Sequence, residues 1–390
     1  MNRFKLFVTF IIPVSLLHLT AFGQSCQYVE EETLKASVET ITELTAEIGV
    51  EVLTALGNID FETIASDAVK MAMRNLDQGQ AEARPNMTGH VGFQKEKVIE
   101  KMYPIRSHTK VSIANRYGKI KLHNWARREI KVAIRIRTAE NSEKRAQEAL
   151  DRVRIDESIS ENSISFKTNI LADDSSWWSS LTSGATDRAL QVDYEIYMPR
   201  ENELALANRY GPIELGDRDG SVAISVSYGS LQAGRLQGPN NSLAVAYSSA
   251  TIVYLNEGDV SVRYGGFKLS EAEKITLAMS TSSGGYIGKV NREADISLRY
   301  SGGFEMGLGP AIQKANIAAS YSNVHIKPAT DAAFNFSVSV SYGGFDYDHN
   351  RISIGSKSER STSKSYTGYW NKAVNNSVSI SSRYGGVSLK

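Results

Sequence analysis

The side chains best suited to chemistry are scattered along this chain. Six histidines stand at His18, His90, His108, His123, His325 and His349, and no two have the spacing of an H-E-x-x-H metal pair. The densest cluster is Asp346-Tyr347-Asp348-His349-Asn350. Asp346 and Asp348 would share one strand face and could offer two ligands, but the setting reads as a solvated face ending in a polar turn. Asp217 and Asp219, in "GDRDGS", have the start of a calcium loop without its later ligands or its distal Glu, and they too read as a turn. The chain has no G-x-S-x-G, phosphate loop or dinucleotide fingerprint. The expectation is therefore a protein without catalytic residues, cofactor or metal site.

Binding chemistry has better candidates. Arginine recurs just before a tyrosine, at Arg116, Arg209, Arg263, Arg299 and Arg383, with Ser or Ala at the same place elsewhere. Guanidinium groups in a row suit an anionic glycan, a lipid headgroup phosphate or an acidic partner. The same row could equally keep a flat sheet face soluble. Trp177 and Trp178, adjacent in "DDSSWWSSLTSG", cannot both enter one strand face. Either at least one of them is a partner, glycan or lipid contact, or their loop folds back and plugs the first coil of the repeat array.

These arginines belong to a recurring phrase. "VSVRYGGFKL", "ISLRYSGGFEM", "VSVSYGGFDY" and "VSISSRYGGVSL" repeat a hydrophobic alternation that ends in Tyr and small residues. The repeat tyrosines are Tyr117, Tyr210, Tyr228, Tyr247, Tyr264, Tyr300, Tyr321, Tyr342 and Tyr384, and a period of roughly twenty residues after Pro199 is the signature of a solenoid. An extra unit lies between Tyr264 and Tyr300, with Met279 near the tyrosine position. The stretch from Tyr342 to Tyr384 holds either two units or one with a long insert. Within a unit, Val260, Val262 and Tyr264 share one parity, and Phe267 and Leu269 have the other. A straight strand would send the second set to solvent. A corner at Gly265-Gly266, where glycine tolerates unusual backbone angles, returns it to the interior. Each unit is then strand, corner, strand, and Tyr117, Tyr210, Tyr228, Tyr264, Tyr300, Tyr342 and Tyr384 form a structural ladder. If the ladder is buried, truncating Tyr264 should cost ~3–5 kcal/mol.

The fold expected is mainly β: a β-solenoid of about 20-residue coils, like a parallel β-helix, with one inserted helix and a helical N-terminal segment. Four stretches divide the chain. Residues 1–23 read as a signal peptide, with Arg3 and Lys5 before an apolar run and Ala21-Phe22-Gly23 as the cleavage site. Residues 24–92 are an acidic helical segment and linker, with 12 acidic and 4 basic residues between Gln24 and His90. Residues 93–200 hold a first coil, an inserted helix capped by Asn141 or Ser142 with Ala146, Ala149, Leu150 and Val153 inward, and the tryptophan loop. Residues 201–390 are solenoid coils. Overall, 44 basic and 43 acidic residues leave a formal charge of +1, which gives no support for nucleic-acid binding. The single cysteine, Cys26, excludes an internal disulfide; it follows the export signal as a lipidation site would, but Gly23-Gln24-Ser25 lacks the usual aliphatic residue three places upstream, so the expectation is an unmodified thiol. No transmembrane span is expected in the mature chain.

"VSIANRYGKIKLHNWARREIKVAIRI", the helix "NSEKRAQEALDRV" and "VDYEIYMPRENELALANRYGPIEL" resemble the bacterial envelope proteins called putative adhesins, a domain of unknown function with N-x-Y-G-x-I coils. The resemblance runs from about Glu96 to Lys390 and leaves the acidic N-terminal helices outside. It implies a β-solenoid held in the envelope or at the cell surface of Bacteroidetes-like bacteria, and supplies no catalytic residue. The expected function is an exported, non-enzymatic scaffold in the periplasm, on the outer membrane or at the cell surface, serving adhesion or partner binding. A glycan-binding or glycan-active solenoid is one alternative, and a periplasmic signalling partner acting through the acidic helices is another. The expected partner is an envelope protein or an anionic glycan or lipid headgroup. The final coil, "SVSISSRYGGVSLK", reads as the open end of the stack. Either the insert bearing Tyr366, Tyr369 and Trp370 caps it, or it pairs with a second copy of the chain.

Overall fold

The computed structural model describes residues 92–171 and 189–390, and these are mainly β, with one helix among the described residues, Glu143–Asp151. The acidic helical segment, Cys26, His18, His90, Trp177 and Trp178 lie outside the described residues.

Two parallel ladders run side by side, and the chain passes from one to the other at each tyrosine. The strand before the tyrosine joins the first ladder, where Ile224 lies opposite Leu206 and Leu243, and Leu277 opposite Val260 and Ile296. The strand after it joins the second, where Leu269 lies opposite Ile252 and Ile287. Inward residues of both ladders are β-branched or aliphatic, as the alternation requires. Val260, Val262, Phe267 and Leu269 are all buried, so the change of parity across the corner does return the second set to the core.

The corner itself differs from the one expected. The left-handed backbone is carried by the tyrosine and not by the glycines. Tyr117, Tyr210, Tyr228, Tyr247, Tyr264, Tyr300, Tyr321, Tyr342 and Tyr384 all have φ between 49° and 63°, whereas Gly284 supplies the positive φ among the glycines. The glycine after the tyrosine answers a different demand. A Cβ on Gly265 would stand 1.8 Å from the Ser248 carbonyl oxygen of the preceding unit, and one on Gly211 would stand 1.7 Å from that of Gly118. At these two corners only backbone fits, whereas Ser248 and Ser322 hold the equivalent place, buried, in the units of Tyr247 and Tyr321.

The buried asparagines of the first two corners have the same origin. Asn208 Nδ2 donates to the carbonyls of Gly118 (2.8 Å) and Pro212 (3.1 Å), and Asn115 Nδ2 donates to that of Val192 (2.8 Å). A corner carbonyl turned inward is thereby satisfied, as a buried acceptor must be. In the last unit Ser382 Oγ does the same for Gly385.

The pairing settles three positions. Met279 is buried, and Thr281 (φ 48°) occupies the tyrosine position of its unit, between Tyr264 and Tyr300. Met279 fills the core where Gly285 replaces the Phe267 and Phe304 of the flanking units; a Cβ on Gly285 would lie 2.7 Å from its sulfur. The interval from Tyr342 to Tyr384 is one unit with an inserted hairpin, strands Ile352–Glu359 and Ser363–Trp370. Most consequentially, the final unit is not the end of the stack. Strand Ser377–Arg383 pairs with Lys314–Ser320 on one side and with Phe334–Ser341 on the other. It is inserted between two earlier units, so it has no free edge on that ladder for pairing with a second copy.

The ends are closed by antiparallel strands. Strand Ser363–Trp370 covers Phe334–Ser341, with Trp370 and Tyr366 buried. At the other end, Val153–Ile159 covers Ser163–Ile170, and Phe93–Pro104 covers Glu129–Glu140. The outermost strands carry Lys, Glu and Asp, which discourages edge pairing. The helix packs at this end, capped by Ser142, with Ala146, Ala149 and Leu150 buried and the Ala146 carbonyl accepting from Thr138.

Arg218, from the acidic turn, is fully buried and bonds the carbonyls of Pro199 and Asn202, each at 2.8 Å, while burial lowers its pKa to about 10. Asp217 and Asp219 are engaged with the Arg235 backbone, Arg200 and Gln237, so this segment is a structural turn.

Two glycine substitutions separate backbone contact from conformational freedom. Gly265→Ala should lower stability by at least about 2 kcal/mol, because the Ser248 carbonyl cannot yield. Gly344→Ala, where a Cβ meets nothing, should stay within ~0.5 kcal/mol of wild type. Urea midpoints check both, and equal midpoints would refute the close-packed corner.

Candidate functional site

Because each tyrosine leaves the strand in the left-handed conformation, its ring turns out of the core. The rings lie over one another along the outside of the corner. Centroid separations are 5.0 Å for Tyr117–Tyr210, 5.2 Å for Tyr210–Tyr228, 4.8 Å for Tyr228–Tyr247 and 4.6 Å for Tyr247–Tyr264. After Thr281 the stacking resumes through Tyr300–Tyr321 at 4.8 Å, Tyr321–Tyr384 at 4.7 Å and Tyr384–Tyr342 at 4.9 Å. Ring order thus follows the spliced pairing and not the chain. The ladder is a surface column. Tyr264 is 49% exposed and Tyr342 56%, while Tyr117, Tyr210 and Tyr228 are half-buried.

Backbone bonds hold the column in register. The amide of each corner residue donates to the carbonyl before the next corner: Tyr247 to Arg263 (2.9 Å), Tyr264 to Ser280 (3.2 Å), Thr281 to Arg299 (2.9 Å). The last, Tyr342, donates to Thr362 of the capping hairpin at 2.8 Å. Burial, and then the neighbouring Tyr264, push the Tyr247 phenol above its usual range, so it is neutral at physiological pH. The charge of the surface comes from the arginines.

Those arginines fall into two groups. Arg209 is buried, donates to the Tyr210 hydroxyl at 2.7 Å and lies 4.7 Å from the ring, so it braces the column and is not presented as a contact. Arg383 lies over Tyr384 at 5.2 Å but is exposed. Arg263 and Arg299 form no ion pair and lie over no ring among the described residues. They stand in register on either side of Ser280, next to the break at Thr281. The pattern R-Y in the sequence could not tell a bracing arginine from a free one.

The remaining candidates resolve into structure. Asp346 pairs with Lys390, Asp348 accepts from the Asn350 amide and pairs with Arg351, and His349 packs on Tyr347. His123 bonds Glu195 at 3.1 Å and stacks on Tyr197. No group of three or more His, Cys, Asp or Glu that could hold a metal exists among the described residues. A trough of about 620 Å³ at the far edge of the first ladder carries Glu257, Asp259, Glu293 and Asp295. Across the ladder Lys274 stands between Glu257 and Glu293, and Thr276 between Asp259 and Asp295, so no carboxylate faces another there. No helix among the described residues is long and apolar enough to cross a membrane.

No family model matches the chain, and no curated protein does. Among solved structures it is similar to a putative adhesin from Bacteroides fragilis NCTC 9343, at 10% identity over 75% of this chain and 97% of that one, with a TM-score of 0.35. A putative adhesin from Parabacteroides distasonis ATCC 8503 matches at 9% identity over 75% and 97%, also at 0.35. A putative lipid binding protein from the same organism matches at 9% over 77% and 98%, at 0.34.

An exposed column predicts smaller losses than a buried one. Tyr264→Ala, which loses one stacked neighbour, should cost ~0.5–1.5 kcal/mol, and Tyr247→Ala, which loses two, about twice that. Chemical denaturation measures both. A cost of several kcal/mol for Tyr264 would place its ring in the core after all.

Proposed function

We propose that this chain is an exported, non-enzymatic envelope protein whose two ladders form a β-solenoid scaffold for a binding surface. Its ligand on this reading is an anionic glycan of the envelope or of a neighbouring cell. The observation that carries the reading is the surface column of tyrosines beside arginines 263, 299 and 383, with Arg263 and Arg299 lacking a counter-ion among the described residues. Unpaired guanidinium groups on a rigid sheet present planar, two-pronged donors to carboxylate, sulfate or phosphate at small entropic cost. The apolar run with Arg3 and Lys5 supports export, to the periplasm, the outer membrane or the cell surface. The resemblance of Glu96 to Lys390 to adhesin coils supports a role in adhesion or in binding an envelope partner.

Retention on immobilised heparin and polygalacturonate, with neutral dextran as control, tests the surface. Wild type should bind the acidic polymers and elute with salt, since exposed charges are screened over ~8 Å at physiological ionic strength. Changing Arg263, Arg299 and Arg383 together to Ser should abolish retention. Retention that survives this change, or that ignores salt, would reduce the arginine row to a solubility device.

A further inference from the structure

The tyrosine column has one break. Every other unit of the two parallel ladders between Tyr117 and Tyr342 places a tyrosine at the corner; the unit between Tyr264 and Tyr300 places Thr281 there. Threonine is a poor choice on backbone grounds. It is β-branched, and a β-branched residue at φ 48° is an outlier, of the kind that tends to persist where function requires it. Its effect is to remove one ring from the stack. Tyr264 is covered on one side by Tyr247, and Tyr300 by Tyr321, while among the described residues no ring covers either from the Thr281 side. Two strand spacings of ~4.8 Å separate these two rings by roughly 9.6 Å. A slot of that width takes one flat ring, at a normal stacking distance from each wall.

The surroundings of the slot are bared in the same way. The three corners read Tyr264-Gly265-Gly266, Thr281-Ser282-Ser283-Gly284-Gly285 and Tyr300-Ser301-Gly302-Gly303. Gly285 occupies the register of Phe267 and Phe304, and Gly303 has open space where a Cβ would be. A shallow depression of about 380 Å³ lies over Gly266, Ser283, Gly284 and Gly303, with Lys268 and Tyr286 on its rim. Arg263 and Arg299, the arginines with no ion pair or ring contact among the described residues, precede the two walls. Elsewhere the same position brings a guanidinium to its ring, as Arg209 and Arg383 show, so these two can reach the slot.

We infer that the break at Thr281 is a clamp for one anionic sugar ring, a uronate residue within an acidic glycan. A pyranose has apolar C–H faces that stack on tyrosine and a carboxylate at its edge for Arg263 or Arg299. The next sugar along would lie over the glycine-floored depression beside Lys268. This inference rests on the binding-surface reading above and narrows it to one place and one ligand class. An acyl chain would need an apolar opening, whereas the rim here is cationic and hydroxylic.

Titration calorimetry with hexagalacturonate tests it, with maltohexaose as the neutral control and phosphatidylglycerol vesicles as the lipid arm. Thr281→Tyr completes the column and should lower hexagalacturonate affinity at least about tenfold while its melting temperature holds or rises. Tyr264→Ala and Tyr300→Ala should each weaken binding severalfold, and Tyr228→Ala, which touches neither wall, should not. Wild-type affinity in Thr281→Tyr, or equal losses in Tyr228→Ala and Tyr264→Ala, would overturn the clamp. So would wild-type protein that ignores hexagalacturonate yet binds heparin or the vesicles. Salt-sensitive loss of heparin retention in the triple arginine variant would in each case leave the broader surface standing.

Discussion

The contact on which the rest of this structure depends is the approach of one corner's backbone to the next. At Gly118, Gly211, Gly229, Gly265, Gly302, Gly343 and Gly385 there is no room for a Cβ before the carbonyl of the adjacent unit. That contact sets how closely the units stack. Close stacking lets the corner amide of each unit reach the carbonyl of the next, which keeps both ladders in register through the bend. The bend needs a left-handed residue, and a tyrosine in that conformation has nowhere to put its ring but outside. Ring stacking, worth ~0.5–1.5 kcal/mol per pair, then offsets the backbone cost of a non-glycine residue at positive φ. The close approach accounts for the small residue after the tyrosine, and the left-handed bend for the exposed column.

A stack of this kind is open at both ends, where unpaired amides and carbonyls invite association. At both ends of the first ladder, and at one end of the second, antiparallel strands return on the outermost parallel strand and carry charge on their free edge. The capping hairpin Ile352–Trp370 also explains the order of the last units. The chain builds the outermost unit, Phe334–Tyr347, covers it with the hairpin, and returns to fill the space left between that unit and Lys314–Pro328. Strands Ser377–Arg383 and Val387–Leu389 thus complete the interior of the stack, and their side chains Val378, Ile380, Val387 and Leu389 are buried on both ladders.

The surface that results is regular except where the sequence interrupts it. Continuous stacking covers the faces of the tyrosine rings, so most of the column offers edges and hydroxyls and no flat face to a ligand. A place where a face is free has to be made by leaving a ring out. Thr281 leaves one out, between the two arginines that no side chain among the described residues neutralises, and Met279 restores inside the core what Gly285 gives up there. The compensation confines the change to the surface.

Much of this was legible from residue order alone, because it is local. Alternation marks the strands, and the parity change between Val262 and Phe267 requires a corner. Ser142 and the spacing of Ala146, Ala149 and Leu150 place the helix, and the recurrence of tyrosine predicts rings in a row. What sequence could not decide was anything set by contacts between units. Tyr264 shares the parity of Val260 and Val262, so alternation puts it inside; only the left-handed backbone at the corner (φ 53°) puts it outside. Arg209 and Arg263 occupy the same place in the same phrase, yet one is buried against its tyrosine and the other forms no ion pair among the described residues. Linear order also makes the final unit the end of the stack, whereas strand pairing inserts it between two earlier units. A strand's partner is chosen by complementary edges brought together in space, and chain order does not encode which edges remain open.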